Sequence, residues 1–170
     1  MQSISPETIY RGSDAWGKAL PQINNLTKSP LILGRSVHTN DIKNKIFRDL
    51  KKSELYVNSA NLQFDCCYED ISKIKEIILN NNHDAVIAVG GGKVLDSGKY
   101  IAEILNIPCI TVPLSASTCA GWTALSNIYT KKGQFIKDVA LRSCPKVLVF
   151  DHKFIQTAPS RTLASGIADA

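Results

Sequence analysis

The residues best placed to do chemistry are consecutive. Residues 84–96 read DAVIAVGGGKVLD, five apolar or small residues running straight into Gly90, Gly91 and Gly92, with a helical pattern beginning at Lys93. A buried strand, a glycine turn and a helix N-terminus in that order make a seat for a phosphate. The first backbone N–H groups of a helix lack intrahelical partners, and its dipole favours an anion. Glycines let the backbone approach such a ligand with no Cβ in the way. The run does not match G-x-G-x-x-G, and it lacks the spacing and trailing Ser or Thr of a Walker A loop, so triphosphatase chemistry is unsupported. Without a ligand the same residues are a strand–helix turn and nothing more. Lys93 favours the anion, because a cation at a helix start opposes the dipole and is costly unless a negative charge is near. Asp96 suits the dipole as a cap, and it is also placed to order the turn or reach toward a substrate.

The elements that must position this turn read as alternating strands and helices. Residues 8–10 make a short strand, followed by a helix from Ser13 with Trp16 and Leu20 four apart. Residues 31–33 make a buried strand ending at Gly34. From Asn40 onward Ile42, Ile46 and Leu50 recur at helical spacing, with Lys43, Lys45 and Arg48 off that face and Thr39 or Asn40 as cap. Residues 55–57 predict the next strand, and residues 65–69 a loop. Asp70 opens a helix whose apolar face is Ile71, Ile74, Ile77 and Ile78. After the central strand and the helix 93–106, residues 109–112 form a strand, and residues 115–123 a small, polar loop. Residues 125–129 and 134–139 predict an antiparallel hairpin bent at Gly133. Residues 146–150 give a last strand, and a final helix begins around Pro159. This alternation predicts an α/β fold with a parallel sheet. Gly34, Gly90 and Pro113 then fall along one sheet edge, where ligands of open α/β sheets bind.

Composition narrows the class. The chain has 170 residues, 44% hydrophobic and 21% charged, which suits one domain with a real core. No apolar run approaches a membrane span, and the N-terminal residues lack the basic start and apolar stretch of a signal peptide, so a cytoplasmic protein away from membranes is expected. The net charge of +5 is scattered, without the basic stripe and interleaved aromatics of nucleic-acid binders. Five cysteines with no repeated CxxC fit neither a disulfide framework nor a zinc site, and the adjacent Cys66 and Cys67 read as two reduced side chains.

Three stretches in order, GGGKVLD (90–96), STCAGWTALSNIY (117–129) and APSRTLASGIADA (158–170), resemble the iron-containing alcohol dehydrogenase superfamily and its glycerol dehydrogenase-like branch. The resemblance runs from about residue 8 to the end. It implies a Rossmann-like, dehydroquinate synthase-like α/β domain with helices on both sheet faces and a hairpin insertion, over residues 1–155. Residues 156–170 would then begin a helical metal-binding domain that is otherwise missing. It implies NAD or NADP, a divalent metal (zinc or iron) in the full-length enzyme, and a small alcohol or carbonyl substrate, and it leaves room for a homo-oligomer. By the same resemblance Gly91, Gly92 and Lys93 meet the pyrophosphate with Asp96 beside it. Leu114, Ser117, Thr123, Leu125 and Tyr129 match cofactor-contacting positions, and Asp169 matches the first metal ligand.

Three departures from the family pattern carry expectations of their own. The family's other metal ligands are histidines of the helical domain. The histidines here are His38, His83 and His152, of which the last two read as surface residues. Asp169 alone cannot hold zinc or iron tightly, so this chain is expected to bind metal weakly and turn over no substrate. Cys119 stands where glycerol dehydrogenases carry an aspartate near the substrate hydroxyls. It reads either as a change of substrate toward another alcohol, aldehyde or hydroxycarboxylate, or as a buried packing cysteine. Arg35 lies where those enzymes hold the adenosine ribose with an aspartate, and an arginine there suits a 2′-phosphate and hence NADP. The rival readings are a truncated, non-catalytic dinucleotide-binding fragment, an interaction module built on a decayed enzyme, and a dehydroquinate synthase-like lyase.

Overall fold

The computed structural model describes residues 5–158 and 160–168. Its strands are β1 (Thr8–Gly12), β2 (Pro30–Gly34), β3 (Asn58–Asn61), β4 (Ala85–Gly90), β5 (Cys109–Pro113), β6 (Leu125–Tyr129), β7 (Phe135–Ala140) and β8 (Val147–Asp151). The helices are α1 (Ala15–Leu26), α2 (Asn40–Lys52), α3 (Tyr68–Asn80), α4 (Gly92–Leu105), α5 (His152–Gln156) and α6 (Ser160–Ala168). Six strands form one sheet in the order β1-β8-β5-β4-β2-β3, and every pair is parallel. β6 and β7 pair antiparallel as a separate hairpin. The parallel α/β architecture with its hairpin insertion is thus as expected. No helix among the described residues is long and apolar enough to cross a membrane.

The central strands β2, β4 and β5 are buried along their whole length, which is why they read as continuous apolar runs rather than alternating ones. Two apolar clusters lie on opposite faces of the sheet. On one, Trp16, Ala19 and Ile23 of α1 and Ile46 and Leu50 of α2 meet Ile32, Ile87 and Ile110. On the other, Ile71, Ile74 and Ile78 of α3 and Leu95 and Ile101 of α4 meet Leu31, Leu33, Val86 and Ala88, and Ile128 brings the hairpin into the same cluster.

Four expectations about this framework are corrected. The strand expected at 55–57 lies at Asn58–Asn61. Leu55 and Val57 are buried in the core, but ladder pairing with β2 begins only at Asn58, and an edge strand tolerates the polar sequence NSAN. The 3₁₀ turn before α2 is capped by Ser36, whose Oγ accepts the His38 N–H, while Thr39 makes no capping bond. Lys43 is buried rather than off the packed face: an added Cβ on Gly34 would meet its side-chain carbons, and its Nζ reaches Asn61 Oδ1 at 2.5 Å. His83, expected on the surface, is only 5% exposed. Its Nδ1 lies 3.0 Å from Ser29 Oγ, its Nε2 3.3 Å from Asn58, and its ring stacks on Tyr56, so it ties the lower ends of β2, β3 and β4 together. The short helix α5 has no counterpart in the sequence reading, and Pro159 lies outside the described residues.

Candidate dinucleotide site

Moving outward from β2, the chain goes to β3 on one side and to β4 and β5 on the other, so the order of the sheet reverses between β2 and β4. At such a switch point the loops leaving the two strands part and open a crevice. Arg35 and Ser36 follow β2, and Gly91 and Gly92 follow β4. A cleft of about 240 Å³ lies between them, lined by Arg35, Ser36, Thr39 and the glycine turn. A second cleft of about 220 Å³ continues past Gly92 and Lys93 to Cys119, Thr123, Leu125 and Tyr129. Larger hollows, about 350 and 380 Å³, lie by the lower ends of β5 and β8 and against the hairpin tip. Placement at the switch point, not size, singles out the joined pair.

The glycine turn divides into packing and open positions. A Cβ on Gly90 would fall 2.9 Å from Val94 Cβ, and one on Gly98 would fall 2.5 Å from Ala88 Cβ, so these two let α4 lie close on β4. Gly91 is different. Its backbone is extended (φ −84°, ψ −177°), which any residue adopts, and an added Cβ would meet no atom within 4 Å. It caps α4 without a side chain, and its carbonyl takes the N–H groups of Val94 and Leu95 at 3.0 and 3.1 Å. The N–H groups of Gly92 and Lys93, which begin the helix at the junction of the clefts, have no acceptor among the described residues. That combination fits a phosphate.

The charges are arranged otherwise than expected. The anion beside Lys93 belongs to the protein: its Nζ sits 2.5 Å from Asp65 Oδ2 and 5.0 Å from the centre of the Tyr129 ring. Arg35 meets the other oxygen of Asp65 at 3.0 Å. Asp65 is nearly buried, while the two cations stay about half exposed, so the group keeps one net positive charge at the cleft. Asp96 is no cap either. It lies in the second turn of α4, 3.0 Å from Lys99 Nζ, and accepts the Asn127 N–H at 3.3 Å. Burial raises its pKa, against the opposing pull of Lys99.

Arg35, Gly91, Gly92, Lys93, Asp96, Cys119, Thr123, Leu125 and Tyr129 therefore come together in the joined clefts. Leu114 and Ser117 do not line them. Leu114 is buried, its N–H on the Gly90 carbonyl, and Ser117 bonds back to Ser115 within the loop after β5. Gly166 of α6 packs on that loop, where an added Cβ would sit 2.8 Å from the Ala116 carbonyl oxygen. Cys119 is exposed, which removes its reading as a packing residue, whereas Cys66, Cys67, Cys109 and Cys144 are buried. Burial pushes the Cys66 thiol up to about 12, so it is an inert side chain. Asp169 lies outside the described residues, and among those described no three His, Cys, Asp or Glu side chains are grouped to hold a metal. Sequence reasoning missed Asp65, on a loop without a pattern, and Lys99, whose position three residues after Asp96 was a signal it could have used.

Comparison with known proteins agrees with the fold. The family model described as iron-containing alcohol dehydrogenase matches residues 6–152. An uncharacterised oxidoreductase of Synechocystis is 36% identical over 99% of this chain and 43% of its own length. A glycerol dehydrogenase of Escherichia coli is 30% identical over 98% of this chain and 45% of its own. The crystal structure of glycerol dehydrogenase from Schizosaccharomyces pombe superposes with a TM-score of 0.88 at 30% identity, over 99% of this chain and 43% of that one. The chain thus spans less than half the length of these relatives and corresponds to their N-terminal part. It belongs to the iron-containing alcohol dehydrogenase family.

Proposed function

We propose that this chain is the dinucleotide-binding part of an oxidoreductase that moves a hydride between NAD or NADP and the CH–OH carbon of a small alcohol, polyol or hydroxycarboxylate. One observation carries the reading: two clefts join at a helix N-terminus with free N–H groups, at the sheet's switch point, beside a glycine whose missing Cβ leaves the space open. When bound, the nicotinamide supplies the hydride chemistry. The protein's part is to hold and orient.

In this reading the Gly92 and Lys93 N–H groups take pyrophosphate oxygens, and Gly91 lets them approach. Asp65 holds Lys93 against Tyr129, so Lys93 shapes the wall between the clefts and adds positive potential rather than a free ammonium. Arg35, half exposed at the end of β2, takes the adenosine end, where its guanidinium suits a 2′-phosphate. Thr123, Leu125 and Tyr129 line the nicotinamide side. Cys119, an exposed thiol of weak hydrogen-bonding power in the same cleft, favours a substrate with fewer hydroxyls than glycerol. Family membership also implies a metal in the whole enzyme. The described residues offer no ligand set for one.

Calorimetric titration of the chain with NADH and NADPH tests the reading. Binding of both is expected, with NADPH at least as tight. Absence of binding by either at millimolar concentration would overturn it.

A further inference from the structure

Lys99 is a buried ammonium whose bonds all run to residues of the second cleft. Its side chain is 2% exposed. Its Nζ lies 3.0 Å from Asp96 Oδ1, 3.1 Å from the Thr123 carbonyl oxygen and 3.2 Å from Thr123 Oγ1, and it also donates to the Leu125 carbonyl. Asp96, Thr123 and Leu125 line the cleft, and Lys99 itself does not. Two further bonds complete a bracket between α4 and the start of β6: Ser126 Oγ donates to the Asp96 carbonyl, and the Asn127 N–H to Asp96 Oδ2.

The chemistry of the ammonium gives this bracket a direction. An ammonium only donates, and its three protons are shared among these four oxygens, so Thr123 Oγ1 can face it only as an acceptor. The hydroxyl proton of Thr123 then has no protein acceptor among the described residues and is left for another oxygen. The Thr123 carbonyl, where loop 115–123 ends, has no ladder partner and takes its donor from Lys99.

We propose that Lys99 is a positioning residue for the ligand. It clamps residues 123–127 against α4 and presents the Thr123 hydroxyl as a hydrogen-bond donor to an acceptor oxygen on the ligand's nicotinamide side. The identity of that ligand rests on the function proposed above; the clamp does not.

The experiment has two arms. Lys99→Met removes the donor. A second variant, Asp96→Asn with Lys99→Met, removes both charges together, so that folding does not depend on a stranded buried carboxylate. In the first arm, amide hydrogen exchange is followed in the unliganded protein. Exchange across residues 123–127 is expected to speed up about tenfold or more while β4 stays unchanged, the loss of a charged hydrogen bond being worth that much. Exchange at the wild-type rate in a folded variant overturns the clamp, and a rise matched in β4 overturns it in favour of general destabilisation.

In the second arm NADH is titrated. Thr123→Val is expected to weaken binding about tenfold in the wild-type background but less than about twofold beside Lys99→Met, with Thr123→Ser binding normally. Equal losses in both backgrounds overturn the presentation of Thr123. If the wild-type chain binds no NADH, the dinucleotide reading falls, and the exchange arm still decides the clamp.

Discussion

Gly91→Asp separates a ligand-binding glycine from a structural one. In the unliganded fold the change should stabilise. The backbone there is extended and an added Cβ meets nothing, so neither strain nor clash opposes the side chain. Asp is a better N-cap than Gly by a few tenths of a kcal/mol. Its carboxylate also gains about 0.3–1 kcal/mol from the helix dipole. The sum is about 0.5–1 kcal/mol, which for a chain of this size raises the thermal midpoint by about 1–4 °C. For an anionic ligand the sign reverses. The new carboxylate accepts the N–H groups that the pyrophosphate would use. Two like charges about 4 Å apart repel by about 1 kcal/mol in water and about 4 kcal/mol at a partly buried site, which is a loss of affinity of about fivefold to about 700-fold. Thermal unfolding and NADH titration of the same preparation read both effects. A more stable variant that binds NADH as the wild type does would refute the assignment of the turn to phosphate. A less stable one would refute the reading of Gly91 as open.

Gly98→Ala tests the opposite kind of glycine: its Cβ would press on Ala88 at 2.5 Å, so overpacking should outweigh the gain in helix propensity and cost about 1–2 kcal/mol. A denaturant midpoint equal to wild type would contradict that packing. Arg35→Gln should weaken NADPH binding about tenfold and NADH less than about twofold, if the guanidinium meets a 2′-phosphate. Equal losses for both cofactors would remove that role. Burial holds the His83 pKa below its ordinary 6.5, so between that lowered value and 6.5 the unfolded chain carries more protons than the folded one. Stability should therefore fall as pH drops through that window. Unfolding free energies measured between about pH 5 and 8 should show the slope in the wild type, and a much flatter profile in His83→Gln.

The sheet was legible because its central strands are buried on both faces and read as unbroken apolar runs. The edge strand was not. Asn58–Asn61 has the sequence NSAN, polar enough to pass for a loop, while Leu55 and Val57 just before it carry the apolar signal of the core they plug. Apolar pattern reports burial, and only ladder pairing decides which residues are the strand. His83 failed for a related reason. It lies in a polar stretch, and its burial comes from Ser29, Tyr56 and Asn58, distant in sequence and joined to it only by the sheet.

The glycine turn could be read as a candidate phosphate seat because the chemistry such a seat needs is in the backbone. Its charges could not, because a lysine's partner is set by tertiary structure. Lys93 argued for a bound anion only while no protein anion stood beside it; the fold brings Asp65 there from a loop 28 residues away. Lys99 is likewise satisfied, its three protons shared among Asp96, two carbonyls and Thr123 Oγ1. Both lysines of the first turns of α4 are therefore engaged within the protein, and neither is a loose counter-ion. Among the described residues, what the fold leaves unsatisfied at the clefts is the pair of N–H groups at Gly92 and Lys93 and the Thr123 hydroxyl proton, together with the single positive charge that Arg35 and Lys93 keep after sharing Asp65. On the function proposed above, such a site would select by shape and backbone donors, which suits an elongated ligand carrying its phosphates near its middle better than one held by charge alone.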